Sequence, residues 1–77
     1  MDELKLYYLP SCPYCQRVLH FMSEQGILID TCATTEPEHR DYLLKNGGKN
    51  QVPCLFIDGK AMYETNNIIA YLKSRFL

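Results

Sequence analysis

Two cysteines separated by two residues, Cys12-Pro13-Tyr14-Cys15, stand between an apolar run and a helical pattern. At that spacing two sulfurs can close a small disulfide ring, and a helix start offers unpaired backbone N–H groups that favour negative charge on the first sulfur. The chemistry implied is thiol–disulfide exchange, with Cys12 as the nucleophile. Other uses of cysteine are poorly served. Tetrahedral zinc wants a second ligand pair, but Cys32 and Cys54 stand alone and His20 and His39 follow no zinc-ligand spacing, so no metal is expected. Small secreted disulfide scaffolds are cysteine-dense and loop-rich, whereas this chain of 77 residues and four cysteines is strongly patterned.

The elements that must hold the dithiol are legible on both sides of it. Leu4 to Leu9 alternates at its start and is rich in aromatics, so it reads as a strand ended by Pro10 and Ser11. Cys12 then takes the N-cap and Pro13 the first helical position, where a missing N–H costs nothing. Val18, Leu19 and Met22, with Phe21 beside them, form an apolar helical face that ends at Gly26 as a left-handed C′ residue. Ile27-Leu28-Ile29 predicts a buried parallel strand reaching Cys32, which makes strand, helix and strand one right-handed crossover unit. Thr35 and Glu38 resemble a capping box for a second helix that runs to about Lys45 and ends at Gly47-Gly48. Val52 to Ile57 reads as a strand, Asp58-Gly59 as a tight hairpin turn, and Lys60 to Tyr63 as the antiparallel return. Thr65 caps a last helix whose Ile68, Ile69, Leu72 and Phe76 follow the 3.6 period and cover the sheet. The order is βαβαββα.

Composition bounds the rest. The chain is 47% apolar and 22% charged, ordinary for a folded domain, and its length has room for one domain spanning residues 1–77. Eight basic and nine acidic residues nearly cancel and the Lys and Arg are dispersed, which argues against nucleic acid as a partner. No stretch reaches the apolar length of a membrane span, and Met1-Asp2-Glu3-Leu4-Lys5 lacks a basic region followed by an apolar one. A soluble, cytoplasmic protein with no membrane partner is therefore expected.

Taken together, Cys12-Pro13-Tyr14-Cys15, Val52-Pro53 and the turn before the last helix resemble a dithiol glutaredoxin over nearly the whole chain. The resemblance implies the thioredoxin fold of the α/β class, a four-stranded mixed sheet flanked by three helices in the order derived above. It also implies a glutathione-dependent oxidoreductase that reduces protein disulfides and glutathione–protein mixed disulfides, with glutathione as co-substrate, no metal, and a monomeric chain. Cys12 would attack the mixed disulfide, and Cys15, one helical turn further in and partly shielded, would resolve protein disulfides.

By the same resemblance, Tyr14 flanks the glutathione groove. Val52 offers its backbone to the glutathione peptide from a cis-proline turn at Pro53. Glu64 and Thr65 meet the γ-glutamyl end, where a helix start can bind its carboxylate and an acidic side chain its ammonium group. Two departures stand out. Many glutaredoxins have a lysine three residues before the first cysteine, where this chain has Leu9. Arg40 and Lys49 are placed near the groove to supply that charge, with plain solvated surface charge as the alternative for each. The family more often has an acidic pair where this chain has Glu64-Thr65, a pattern of glutathione transferase N-terminal domains.

Other residues invite blander readings. Cys54 is expected to be a small core side chain rather than a third redox thiol, His20 and His39 surface or boundary residues, and Tyr7 and Tyr8 core and strand-pairing aromatics, one of them near Cys12. Two alternative functions remain beside the first. One is a hydrogen donor reduced by thioredoxin reductase, which the loss of the lysine favours. The other is a binding module, either a free-standing transferase N-terminal domain or a holder of an iron–sulfur cluster. The missing helical second domain weighs against the transferase reading, and Pro13 with Cys15 weighs against the cluster.

Overall fold

Alternation along the first strand sorts its side chains onto two faces, and each face meets a different helix layer. The computed structural model describes residues 3–77; Met1 and Asp2, the start of the stretch tested above for a leader pattern, lie outside the described residues. The elements are β1 (Leu4–Tyr8), α1 (Pro13–Gln25), β2 (Asp30–Ala33), α2 (Pro37–Gly47), β3 (Cys54–Ile57), β4 (Lys60–Met62) and α3 (Thr65–Phe76). The strands lie in the order β2-β1-β3-β4, with β1 parallel to β2 and antiparallel to β3, and β3 antiparallel to β4. Leu4, Leu6 and Leu55 face Val18 and Met22 of α1 and Ile68 and Leu72 of α3. Tyr7, Cys54 and Phe56 cluster instead with Leu43 of α2.

Local signals explain most boundaries. Cys12 is the N-cap of α1 with Pro13 next, and Gly26 closes the helix at φ 67°. The Gly26 N–H donates to Ser23 O at 3.4 Å and the Ile27 N–H to Met22 O at 2.9 Å, the paired bonds of a Schellman motif. That motif corrects the predicted second strand. Ile27 is consumed in the cap and buried against the core, Leu28 is 92% exposed, and pairing with β1 begins only at Asp30. Gly26→Ala is expected to cost about 1 kcal/mol, because an L side chain in the left-handed region is strained; urea unfolding would measure it, and an unchanged midpoint would contradict the cap.

The second helix also starts differently. Pro37 takes the first helical position and restricts Glu36 to an extended conformation (φ −80°, ψ 123°), so Glu36 is the N-cap and the Thr35 capping box does not form. The helix continues to Gly47, with Gly48 left-handed at φ 82°. Pro53, without an N–H, delays β3 to Cys54, and β4 ends at Met62 rather than Tyr63. Asp58 and Gly59 both have positive φ, 50° and 85°, as a tight hairpin turn requires. Thr65 is the first residue of α3 and not its cap; Glu64 is the N-cap, with its carbonyl accepting from the Ile68 N–H at 2.8 Å. Phe76, expected on the sheet, is 42% exposed at the end of the helix.

Candidate functional site

The turn from β1 into α1 presents Cys12 and withdraws Cys15. The Cys12 N–H donates to Leu9 O at 3.0 Å and the Gln16 N–H to Cys12 O at 3.0 Å, which locks the cysteine at the helix entrance. Its Sγ, partly exposed, accepts from the Cys15 N–H at 3.4 Å, an N-cap bond made by sulfur. Cys15 is completely buried. Burial pushes its thiol up to about 12, the Leu9 N–H, 3.5 Å from its Sγ, pulls the other way, and the Cys12 sulfur adds to the rise. Leu9, in place of the expected lysine, thus serves the dithiol through its backbone. All four cysteines are free thiols.

Facing the dithiol is the loop between α2 and β3, whose Val52–Pro53 peptide bond is cis. The Cys12 Sγ lies 4.0 Å from Val52 O. A groove of about 290 Å³ opens beside this pair, lined by Tyr14 and Arg17 of α1, Gln51, Val52 and Pro53 of the loop, and Tyr63, Glu64, Thr65 and Asn66 at the start of α3. The structure therefore brings Tyr14, Val52, Pro53, Glu64 and Thr65 together next to Cys12. Arg40 is not among them. It is exposed on α2, and α2 packs on the sheet face carrying Tyr7 and Phe56, away from the contact between α1 and α3.

The cation that does line the groove is Arg17, whose Nη2 donates to Asn66 Oδ1 at 3.1 Å. Its place was open to sequence reasoning, since it lies three residues after Tyr14 and so on the same face of α1. Lys49 remains beside the groove in another sense: its Nζ sits 5.2 Å over the Tyr63 ring. Asn66, which continues the Glu64-Thr65 turn expected at the γ-glutamyl end, lines the groove as well, whereas Tyr63 and Gln51 were not singled out by sequence, although each adjoins a residue that was.

The remaining candidates take structural places. Cys54 is fully buried on the α2 face, and burial pushes its thiol up to about 11. Tyr7 pairs with Cys54 on one side and Cys32 on the other, stacks on Tyr42 and meets His39 edge-on at 6.0 Å. His20 is exposed beside Glu24 at 3.3 Å. No group of three or more His, Cys, Asp or Glu among the described residues is arranged to hold a metal ion, and no helix among them is long and apolar enough to cross a membrane.

A parallel β-α-β unit, a following hairpin and helix, and a Cys-x-x-Cys at the first helix N-terminus opposite a proline loop define a protein of the thioredoxin fold. The chain belongs to the glutathione S-transferase N-terminal domain family, whose sequence profile matches residues 6–76. It is also similar to glutaredoxins. Glutaredoxin 1 of Rickettsia typhi is 36% identical over 61 residues, covering 75% of this chain and 59% of the relative. Glutaredoxin 3 of Escherichia coli K12 is 28% identical over 61 residues, covering 78% and 74% respectively. The chain thus spans less than two thirds of the length of the Rickettsia relative. Among solved structures, glutathione transferase Omega 3C from Trametes versicolor superposes with a TM-score of 0.81 at 31% identity, over 96% of this chain and 34% of that one.

Proposed function

We propose that this protein is a glutathione-dependent thiol–disulfide oxidoreductase with Cys12 as its nucleophile. The observation that carries the reading is the position of the Cys12 sulfur 4.0 Å from the carbonyl of Val52, a residue that lines the groove. The groove suits glutathione end to end. The Val52 backbone stands next to the reacting sulfur, where the cysteinyl peptide would lie. At the far end, the first turn of α3 has no acidic side chain and no side-chain cap, so its N–H groups, with Arg17 beside them, can take the γ-glutamyl carboxylate, and Glu64 its ammonium group. The kinship to glutaredoxins and transferases supports the same ligand.

In the proposed reaction the Cys12 thiolate attacks the glutathione sulfur of a glutathione–protein mixed disulfide. The Cys12–glutathione disulfide forms and the protein leaves as a thiolate that takes up a proton. A second glutathione thiolate then attacks that disulfide, releasing oxidised glutathione and free Cys12. On a protein disulfide, Cys12 forms the mixed disulfide and Cys15 displaces the product, closing the Cys12–Cys15 bond that two glutathiones later reduce. A reducing compartment such as the cytoplasm would supply the glutathione.

The match to the transferase N-terminal family and the Glu64-Thr65 pair favour a second reading, a glutathione-binding domain without turnover. A coupled assay with a glutathione mixed disulfide, glutathione, glutathione reductase and NADPH separates the two. Sustained NADPH oxidation is expected. Glutathione binding without turnover would favour the binding domain, and turnover only with thioredoxin reductase would point to a hydrogen donor fed by that enzyme.

A further inference from the structure

Residues 48–53 join α2 to β3 and carry Val52 to the dithiol, and the loop is met by side chains at two of its carbonyls. The Cys12 thiol lies 4.0 Å from Val52 O. Three residues earlier, the Tyr63 hydroxyl donates to Lys49 O at 3.1 Å. Tyr63 follows β4 directly and precedes the Glu64 N-cap of α3, so its position is set by the sheet and the helix together. Its ring is part of the α2-side cluster around Tyr7, Leu43, Cys54 and Phe56, and it also lines the groove. The Lys49 ammonium lies over the same ring at 5.2 Å, which gives the loop a second hold. Space for the hydroxyl comes from Gly47: a Cβ there would collide with Tyr63 Oη and lie 3.2 Å from Cζ.

From this arrangement we infer that Tyr63 is a positioning residue: its hydroxyl pins the Lys49 carbonyl, and thereby holds the Val52 backbone in register with Cys12. Gly47 is the complementary part of the device, kept small to seat the phenol. Burial first, and the nearby Cys54 thiol second, raise the Tyr63 pKa, so the hydroxyl keeps the proton it donates. The consequence for glutathione rests on the function proposed above; the hold on the loop does not.

Tyr63→Phe keeps the ring, its packing and the Lys49 contact, and removes only the O–H. Two measurements test it. The first is amide hydrogen exchange at Gly48, whose N–H donates to Leu44 O at 3.1 Å directly before the pinned Lys49 carbonyl, relative to Leu55, an amide of the central strand, in the free protein. The ratio is expected to rise about fivefold, the weight of one neutral hydrogen bond. The second is steady-state turnover of the mixed disulfide of glutathione with a cysteine-containing peptide. KM is expected to rise about fivefold with kcat nearly unchanged, a split that general loss of folded protein would not produce. Gly47→Ala should reproduce both changes and add little on top of Tyr63→Phe, because both variants disrupt one contact. An unchanged exchange ratio in Tyr63→Phe would overturn the inference, as would a raised ratio with unchanged KM in an enzyme that turns over. If the wild-type protein fails to turn over the glutathione substrate, the functional reading falls, while the exchange ratio still decides the role of Tyr63.

Discussion

Cys12→Ser is expected to reduce thiol exchange to the uncatalysed background with every substrate, while Cys15→Ser keeps the removal of glutathione from mixed disulfides and loses most reduction of protein disulfides. The asymmetry follows from the helix start. Cys12 is partly exposed with a backbone N–H aimed at its sulfur, so it can be reached and its sulfur accepts a hydrogen bond. Serine fills the cap equally well but is a far poorer nucleophile and leaving group, so the fold should survive and the chemistry should not. Cys15 is sealed from solvent, and burial above all pushes its thiol up to about 12. It cannot begin an attack on an outside disulfide. Once Cys12 is tied up in a mixed disulfide, its sulfur no longer opposes ionisation of Cys15, and the second thiol can displace the product. Parallel assays with a glutathionylated peptide and with a protein disulfide would read the split. Equal losses in the two variants would sink the division of roles.

The second large effect concerns alkaline pH. A cysteine thiol of ordinary pKa 9.0 is pushed up to about 11 at Cys54 and about 12 at Cys15, in both cases chiefly by burial. At Cys54 the Met62 backbone and the Tyr63 hydroxyl offset part of the rise. Above the unfolded value the unfolded chain has released a proton that the folded chain still holds, so stability must fall as pH rises. The contribution of Cys54 is complete below about pH 9 and lost as pH climbs through about 11. At about 1.4 kcal/mol per pKa unit, that amounts to roughly 2 to 3 kcal/mol. Tyr7 and Tyr63, both raised from 10.0 first by burial, add to the loss in the same direction at still higher pH.

Denaturant midpoints taken under reducing conditions across this range should therefore decline steeply above about pH 9. Cys54→Ala should be less stable near neutrality by about 1 kcal/mol, for the small cavity, yet decline less steeply with pH. An identical slope in the variant would show that Cys54 ionises in the fold as freely as in the unfolded chain.

The two buried thiols also explain why one Cys-x-x-Cys and two single cysteines need not form a common redox pool. Cys15 lies on the α1 and α3 side of the sheet, within reach of Cys12. Cys54 clusters with the α2 side, and Tyr7 stands between it and Cys32 in the strand register. Bridging Cys32 and Cys54 would have to cross two strand spacings, roughly 9 to 10 Å, beyond the reach of a disulfide. Cys54 is thus a core residue despite following the proline loop directly.

Much of this was legible in the amino-acid order, for a physical reason. The cap at Cys12, Pro13 at the helix entrance, the Gly26 exit and the Asp58-Gly59 turn are all settled by backbone groups within a few residues of one another, so their sequence signals are complete in themselves. The same is true of the strand alternation that divides Leu6 from Tyr7. Where two local signals competed, reading failed: Ile27 looked like the start of a strand but its N–H closes the helix before it, and Pro37 displaced Thr35 as the organiser of the second helix. The contacts that close the groove belong to the tertiary structure, although Tyr14, Val52, Pro53, Glu64 and Thr65 were legible beforehand through the family resemblance. Arg17 reaches Asn66, 49 positions away, and Tyr63 reaches Lys49, only because the strand order β2-β1-β3-β4 sets α1, the 48–53 loop and the start of α3 side by side. Side-chain partners at such separations depend on sheet order and register, which no local pattern encodes; that is why Arg40 looked suitable in sequence and Arg17 holds the place in the fold.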